Sequence, residues 1–173
     1  MSDRRVSTGS FEEFVHATGS RLYRTAYLLC GDHHLAEDLT QTTYAKVFAS
    51  WRRVRRSDNP IAYTRTVLVR TWLSHRRLRR TTEQPWSELP ERAVDGEGTE
   101  QRLDLLDALA RMRPEDREVL VLRFYDDLGF AQVAQLLDIS EPTARKRCGR
   151  ALERLRALVP DPVHPLTHHL EVE

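Results

Sequence analysis

The stretch Phe130–Leu158, FAQVAQLLDISEPTARKRCGRALERLRAL, leaves the chain few ways to fold. Phe130, Val133, Ala134 and Leu137 recur at helical spacing. Asp138-Ile139-Ser140 then interrupts the run, and Asp is among the few residues besides Gly that tolerate a left-handed turn. Ser140 is a good N-cap, and Pro142 falls in the first turn of the next helix, where a missing N–H costs nothing. Along that second helix Ala144, Cys148, Ala151, Leu155 and Leu158 make one narrow apolar stripe. Its small early members let the preceding helix come close. The pattern predicts two helices joined by a tight turn.

The opposite side of the second helix carries Lys146, Gly149 and Arg150, flanked by Arg145 and Arg147. Glu141–Leu158 holds six Lys/Arg against two Glu. A helix with one buried side and one cationic side suits a reader of the DNA major groove. A helical hairpin with a merely solvated charged face is the plainer alternative.

The rest of the chain reads as helices too. Phe11, Phe14, Val15, Leu22, Ala26 and Leu29 predict a helix that stops at Gly31. Asp32 caps the next, running from about His33 to Trp51 with Leu35, Leu39, Tyr44, Val47, Phe48 and Trp51 inward. Arg52–Asn59 reads as a basic loop. Asn59-Pro60 restarts a helix with Ile61, Leu68 and Trp72 on its apolar side, fraying over His75–Arg80. Pro85, Pro90, Gly96 and Gly98 break the acidic stretch that follows. Beyond it, Leu103, Leu106 and Leu109 predict a helix ending before Pro114. Pro114 opens another, with Val119, Leu120, Leu122 and Phe124 inside, which stops near Asp126-Asp127. No strand-like alternation occurs, so the fold class is all-α. The predicted organisation is a flexible start at 1–10, a helical domain at 11–80, a linker at 81–100, a second helical domain at 101–159 and a disordered tail at 160–173.

Charge is distributed unevenly along this plan. The formal net charge is +1, yet residues 1–80 hold fifteen Lys/Arg against seven Asp/Glu. Trp51–Arg80 alone holds ten Arg and one acid, Asp58, which points to a docked polyanion. No apolar run approaches the ~20 residues that span a bilayer, and MSDRRVSTGS lacks the apolar core of a secretory signal. Cys30 and Cys148 are far apart on apolar helical faces, which argues against a disulfide or metal pair and for a reducing cytoplasm. His33-His34 and His168-His169 are adjacent and point apart on a helix. No catalytic constellation, metal site, cofactor motif or small-molecule substrate site stands out. The chain reads as no enzyme.

Several stretches resemble one family, the extracytoplasmic-function group of the sigma-70 class of bacterial RNA polymerase sigma factors. AEDLTQTTYAKV at 36–47 resembles the A-E-D-L-x-Q-x-x-(F/Y) signature of region 2, and NPIAY at 59–63 its N-P-R-A-(W/Y) segment. LARMRPEDREVLVLR at 109–123 resembles the region 4 L-P-x-x-x-R-x-V-x-x-L-R pattern. ISEPTARKR at 139–147, then Arg150-Ala-Leu152, resembles I-S-x-(G/P)-T-V-K-x-R…R-A-L. The likeness is greatest to the actinobacterial branch. The sequence departs from the family at Gly129 and Gln132, usually Ser/Thr and Glu, and at Asp138, usually Gly.

The resemblance implies a specificity factor that binds core RNA polymerase and directs promoter recognition, DNA melting and initiation. Asp38 and Gln41, one turn apart, would present polar groups to the coiled coil of the polymerase largest subunit; ordinary helix-surface polarity fits them as well. The second domain would meet the flap. Arg55, Arg56, Asp58 and Asn59 would edge a pocket for an unstacked base of the downstream (−10) element. Tyr63 offers a ring for stacking. Trp72 offers another, although a tryptophan at helical spacing is more often core. Arg65, Arg70, Arg76 and Arg77 suit phosphates. At the upstream (−35) element, Arg145, Lys146 and Arg150 would reach base edges, with Thr143 and Arg147 on phosphates. The acidic stretch Glu83–Asp107 would thread toward the polymerase centre in the family, while a solvated spacer is its commoner explanation. An anti-sigma partner is common in the family. Two other readings compete: a stand-alone helix–turn–helix regulator, and a decoy that occupies polymerase without opening DNA.

Overall fold

Ser10 and Glu13 cap one another: the Glu13 N–H donates to Ser10 Oγ at 3.1 Å, and the Ser10 N–H to Glu13 Oε2 at 3.3 Å. This capping box opens α1, Phe11–Cys30. The helix ends where Gly31 turns left-handed at φ 73, as predicted. Asp32 Oδ1 accepts from the Leu35 N–H at 2.6 Å and opens α2, His33–Ala49. The computed structural model describes residues 10–81 and 100–159, and the chain divides into two compact units, Met1–Trp86 and Ser87–Glu173. Most of the expected flexible start and linker, and the tail from 160, lie outside the described residues.

In the first unit Phe14, Val47 and Val54 are buried together, with Phe11, Tyr44, Trp51, Ile61, Tyr63 and Val67 packed around them. That packing corrects two expectations. The basic stretch after Trp51 is not all loop: Trp51–Val54 forms a short helix, α3, because that winding sinks Val54 beside Phe14. Phe48 is 62% exposed rather than core. Val47, 0% exposed, takes the place beside Phe14 and Val54. Phe48 leans instead against Phe11, ring centroids 5.0 Å apart.

Helix α4, Pro60–Thr81, is continuous through His75–Arg80, where fraying was expected. Trp72, 1% exposed, anchors it one turn earlier, and Arg is a good helix former. The stacking alternative for Trp72 is thereby overturned: the ring is core. Lys46 Nζ of α2 donates to Thr71 Oγ1 of α4 at 3.0 Å.

The second unit starts with α5, Glu100–Arg111, and α6, Pro114–Leu120, which has Pro at its first position. From there the chain widens into a π-helical turn, Val121–Tyr125. The Asp126 N–H donates five residues back to the Val121 carbonyl at 3.0 Å, and the Leu128 N–H to that of Leu122 at 3.1 Å. Nothing in the apolar spacing announces this turn. Helix α7, Phe130–Leu137, and helix α8, Glu141–Leu158, follow at the predicted places. Every described element is a helix or a turn, so the fold class is all-α, as expected.

Candidate nucleic-acid interface

The turn between α7 and α8 is built by the Asp138 backbone and the Ser140 side chain. Asp138 adopts the left-handed conformation, φ 55 and ψ 48, and its N–H returns to the Ala134 carbonyl. Ser140 Oγ accepts from the Thr143 N–H at 3.3 Å and starts α8. At the head of α7 the Gly129 N–H donates to Gln132 Oε1 at 3.0 Å. Gln132 therefore supplies its half of a capping box, and glycine has no side chain to supply the other.

Ala144, Cys148, Ala151 and Leu155 are buried along α8. Burial pushes the Cys148 thiol pKa up, against a smaller lowering by the Arg123 guanidinium. The other side of the helix is open. Arg145, Lys146, Gly149 and Arg150 are exposed and Arg147 is half-buried. The Thr143 hydroxyl is 2.7 Å from that of Ser140, so this side chain is tied to the helix cap. Arg145 Nη2 donates to Glu141 Oε1 at 2.7 Å, and the Arg145 guanidinium lies 4.7 Å from the centre of the Phe130 ring. The helix thus offers its cations on the side away from its packing.

In the first unit, Asn59 Oδ1 caps α4 by accepting from the Ala62 N–H at 2.8 Å. Arg55, Arg56 and Asp58 are exposed in the turn before it. Tyr63, Arg70 and Arg77 recur every seven residues, two helical turns apart, and so share one face of α4; Arg70 and Arg77 are exposed there. Arg65 and Arg76 are half-buried, in line with buried Val69 and Trp72. The five residues expected to act together on α4 therefore divide between two faces. Sequence reasoning missed Arg53, whose Nη2 donates to the Tyr63 hydroxyl at 3.3 Å and whose guanidinium lies 6.0 Å from the ring centre. The run Arg52-Arg53-Val54-Arg55 hides it until α3 is seen to be helical.

Asp38 and Gln41 are both exposed on α2. Continued at helical spacing, their face reaches Ala45 and Phe48, also exposed. His75 of α4 senses this region: burial lowers its imidazole pKa from the usual 6.5, Arg79 lowers it further and Asp38 opposes both. Among the described residues no group of three or more His, Cys, Asp or Glu is placed to hold a metal ion. Nor is any described helix long and apolar enough to cross a membrane.

Two sequence profiles match the two units. "Sigma-70 region 2" covers residues 14–82, and "Sigma-70, region 4" covers residues 102–155. The chain is 35% identical over 149 residues to the RNA polymerase sigma-E factor of Streptomyces coelicolor, a match spanning 84% of each protein. The chain belongs to the extracytoplasmic-function sigma factors. Sigma factors are transcription initiation factors. A second relative of this sigma factor, CarQ of Myxococcus xanthus, is 34% identical over 134 residues, 72% of this chain and 75% of that one. Among solved structures, the extracytoplasmic-function sigma factor SigJ of Mycobacterium tuberculosis is 30% identical with a TM-score of 0.58, covering 90% of this chain and 55% of SigJ. RpoE of Bartonella quintana, solved in complex with the anti-sigma factor NepR, has a TM-score of 0.73 at 23% identity, covering 88% of this chain and 98% of that one. At that identity the likeness speaks for the fold.

Proposed function

We propose that this sigma factor joins core RNA polymerase and opens promoters by dividing the work between its two units. The division runs as region 2 over 11–80 and region 4 over 101–159, with 81–100 as the linker. On α2 the ridge Asp38–Gln41, continued by Phe48, docks onto the coiled coil of the largest subunit, where an exposed aromatic ring is a good anchor. The second unit meets the flap. The turn Arg55–Asn59 and the outward face Tyr63–Arg70–Arg77 take the downstream element as single strand, with Arg53 steadying Tyr63. Arg65 and Arg76 contact phosphates from the second face of α4. Lys146, Arg150 and Arg145 enter the major groove at the upstream element, while Arg147 and Thr143 lie along the backbone.

The observation that carries this reading is the two-sidedness of α8: four apolar or small side chains buried on one side, and its cations exposed on the other. Melting takes no catalytic group of this chain, and RNA synthesis is the polymerase's own chemistry, so the protein is not an enzyme. It works in the cytoplasm, where the polymerase is. A relative of the same fold was solved with an anti-sigma factor, and a partner of that kind fits this chain too. The stand-alone regulator reading leaves Asp38, Gln41 and the Arg-rich α4 without a task.

Run-off transcription with core polymerase decides the matter. Adding the chain is expected to give transcripts from a subset of genomic templates that core polymerase alone does not start. No stimulation on any template, or a footprint by the chain without polymerase on a palindromic site, overturns the reading.

A further inference from the structure

Arg145 is an exposed side chain with four rotatable bonds, yet two neighbours hold it. Glu141 Oε1 accepts from its Nη2 at 2.7 Å, one turn back on α8. Its guanidinium carbon lies 4.7 Å from the centre of the ring of Phe130, the first residue of α7. Phe130 is itself steadied from the preceding segment. A second guanidinium, that of Arg123, lies 5.3 Å from the same ring, while Arg123 Nη1 donates to the Leu128 carbonyl at 3.4 Å. The two helices of the pair thus meet in a polar as well as an apolar contact, on the side of α8 that faces out.

A guanidinium held against an aromatic ring has its motion limited, while its donors lie in its own plane. Reading a guanine uses two of those in-plane donors at once. Ordering a long side chain at an interface costs free energy, and that cost falls when the side chain is already ordered. We propose that Phe130 is a positioning residue for Arg145, fixing its guanidinium on the groove-facing side of α8 before DNA arrives. The inference rests on the placement of Arg145 at a base edge given above. Its consequence is selectivity: without the ring, preference falls at the one base pair Arg145 reads and holds elsewhere.

The test is a double-mutant cycle read base by base. Holoenzyme made with the full chain is captured on duplex promoters randomised over the upstream element, and the bound DNA is sequenced. F130L and F130M keep apolar volume and lose the aromatic face; F130Y keeps it. Both aliphatic variants are expected to cut the preference that R145A erases by about two- to fivefold, the scale of one exposed cation–π contact. F130Y retains that preference, and F130L adds nothing to R145A. A loss spread evenly over all positions, a full additional loss in the R145A background, or an unaltered profile in F130L and F130M overturns the inference. Thermal melting of each variant separates an unfolded domain from a misplaced guanidinium, and F130M stands in if F130L melts. If R145A itself leaves every base preference intact, the placement of Arg145 fails and this inference falls with it. A selective R145A beside neutral Phe130 variants overturns this inference alone.

Discussion

Arg154, 51% exposed on α8, is hydrogen-bonded to the carboxylate of Asp116, 7% exposed in the first turn of α6. The pair ties α8 to α6, the helix before the π-helical turn, thirty-eight residues earlier.

Removing Arg154 leaves a buried carboxylate without this partner. The positive end of α6 offsets part of that loss, because Asp116 lies in its first turn. R154A is expected to destabilise the second unit by about 1–2 kcal/mol, more than an exposed ion pair is worth. Urea unfolding of the full chain checks this; an unchanged midpoint would show the bridge to be decorative.

Asp138 takes a left-handed conformation that glycine adopts without strain. D138G is expected to stabilise the helix pair by about 0.5–1 kcal/mol, and D138V to destabilise it by a similar amount or more. Thermal melting of the two variants must move the midpoint in opposite directions.

Gly149 is exposed in the middle of α8, and a Cβ built there meets nothing within 4 Å. Inside a helix glycine costs about 1 kcal/mol relative to alanine, and no protein neighbour requires it. G149A is therefore expected to raise stability by about that amount. If DNA approaches this side closely, the same variant weakens capture of the upstream element by holoenzyme. Tighter capture together with higher stability would place the DNA elsewhere.

His75 gives a pH dependence. Burial lowers its folded-state pKa below the usual 6.5, so its contribution to stability is full above that value and is lost as pH falls through the folded pKa. Its Nδ1 is buried without a hydrogen-bond partner among the described residues, which leaves no acceptor there for a second proton. Melting of the wild type and H75Q from pH 8 to pH 5 is expected to favour the variant progressively as the pH drops. A constant difference across that range contradicts the expected titration.

Local chemistry made much of this fold legible. Ser140, Pro142 and Asp138 specify a turn whatever packs around it, and Gly31 with Asp32 marks the α1–α2 boundary as plainly. The cationic side of α8 could be read from spacing alone because its buried side is so narrow. What stayed hidden depended on tertiary choices. That Val47 is buried beside Phe14 while Phe48 stays exposed follows from tertiary packing, not from the spacing of apolar residues. The division of the α4 arginines into two faces follows from which stripe Trp72 buries. Arg53 joins Tyr63 only because α3 winds as a helix. Contacts such as Arg145 on Phe130 or Arg154 on Asp116 link residues that no periodicity relates.

The widened turn at Val121–Tyr125 takes up one residue more than ordinary winding would fit. Because that turn already takes up the extra residue, excising one residue from it would restore ordinary winding and leave the following segment near its present rotation. An excision ahead of Arg154 in α8, where no such slack exists, would instead turn that side chain about 100° away from Asp116.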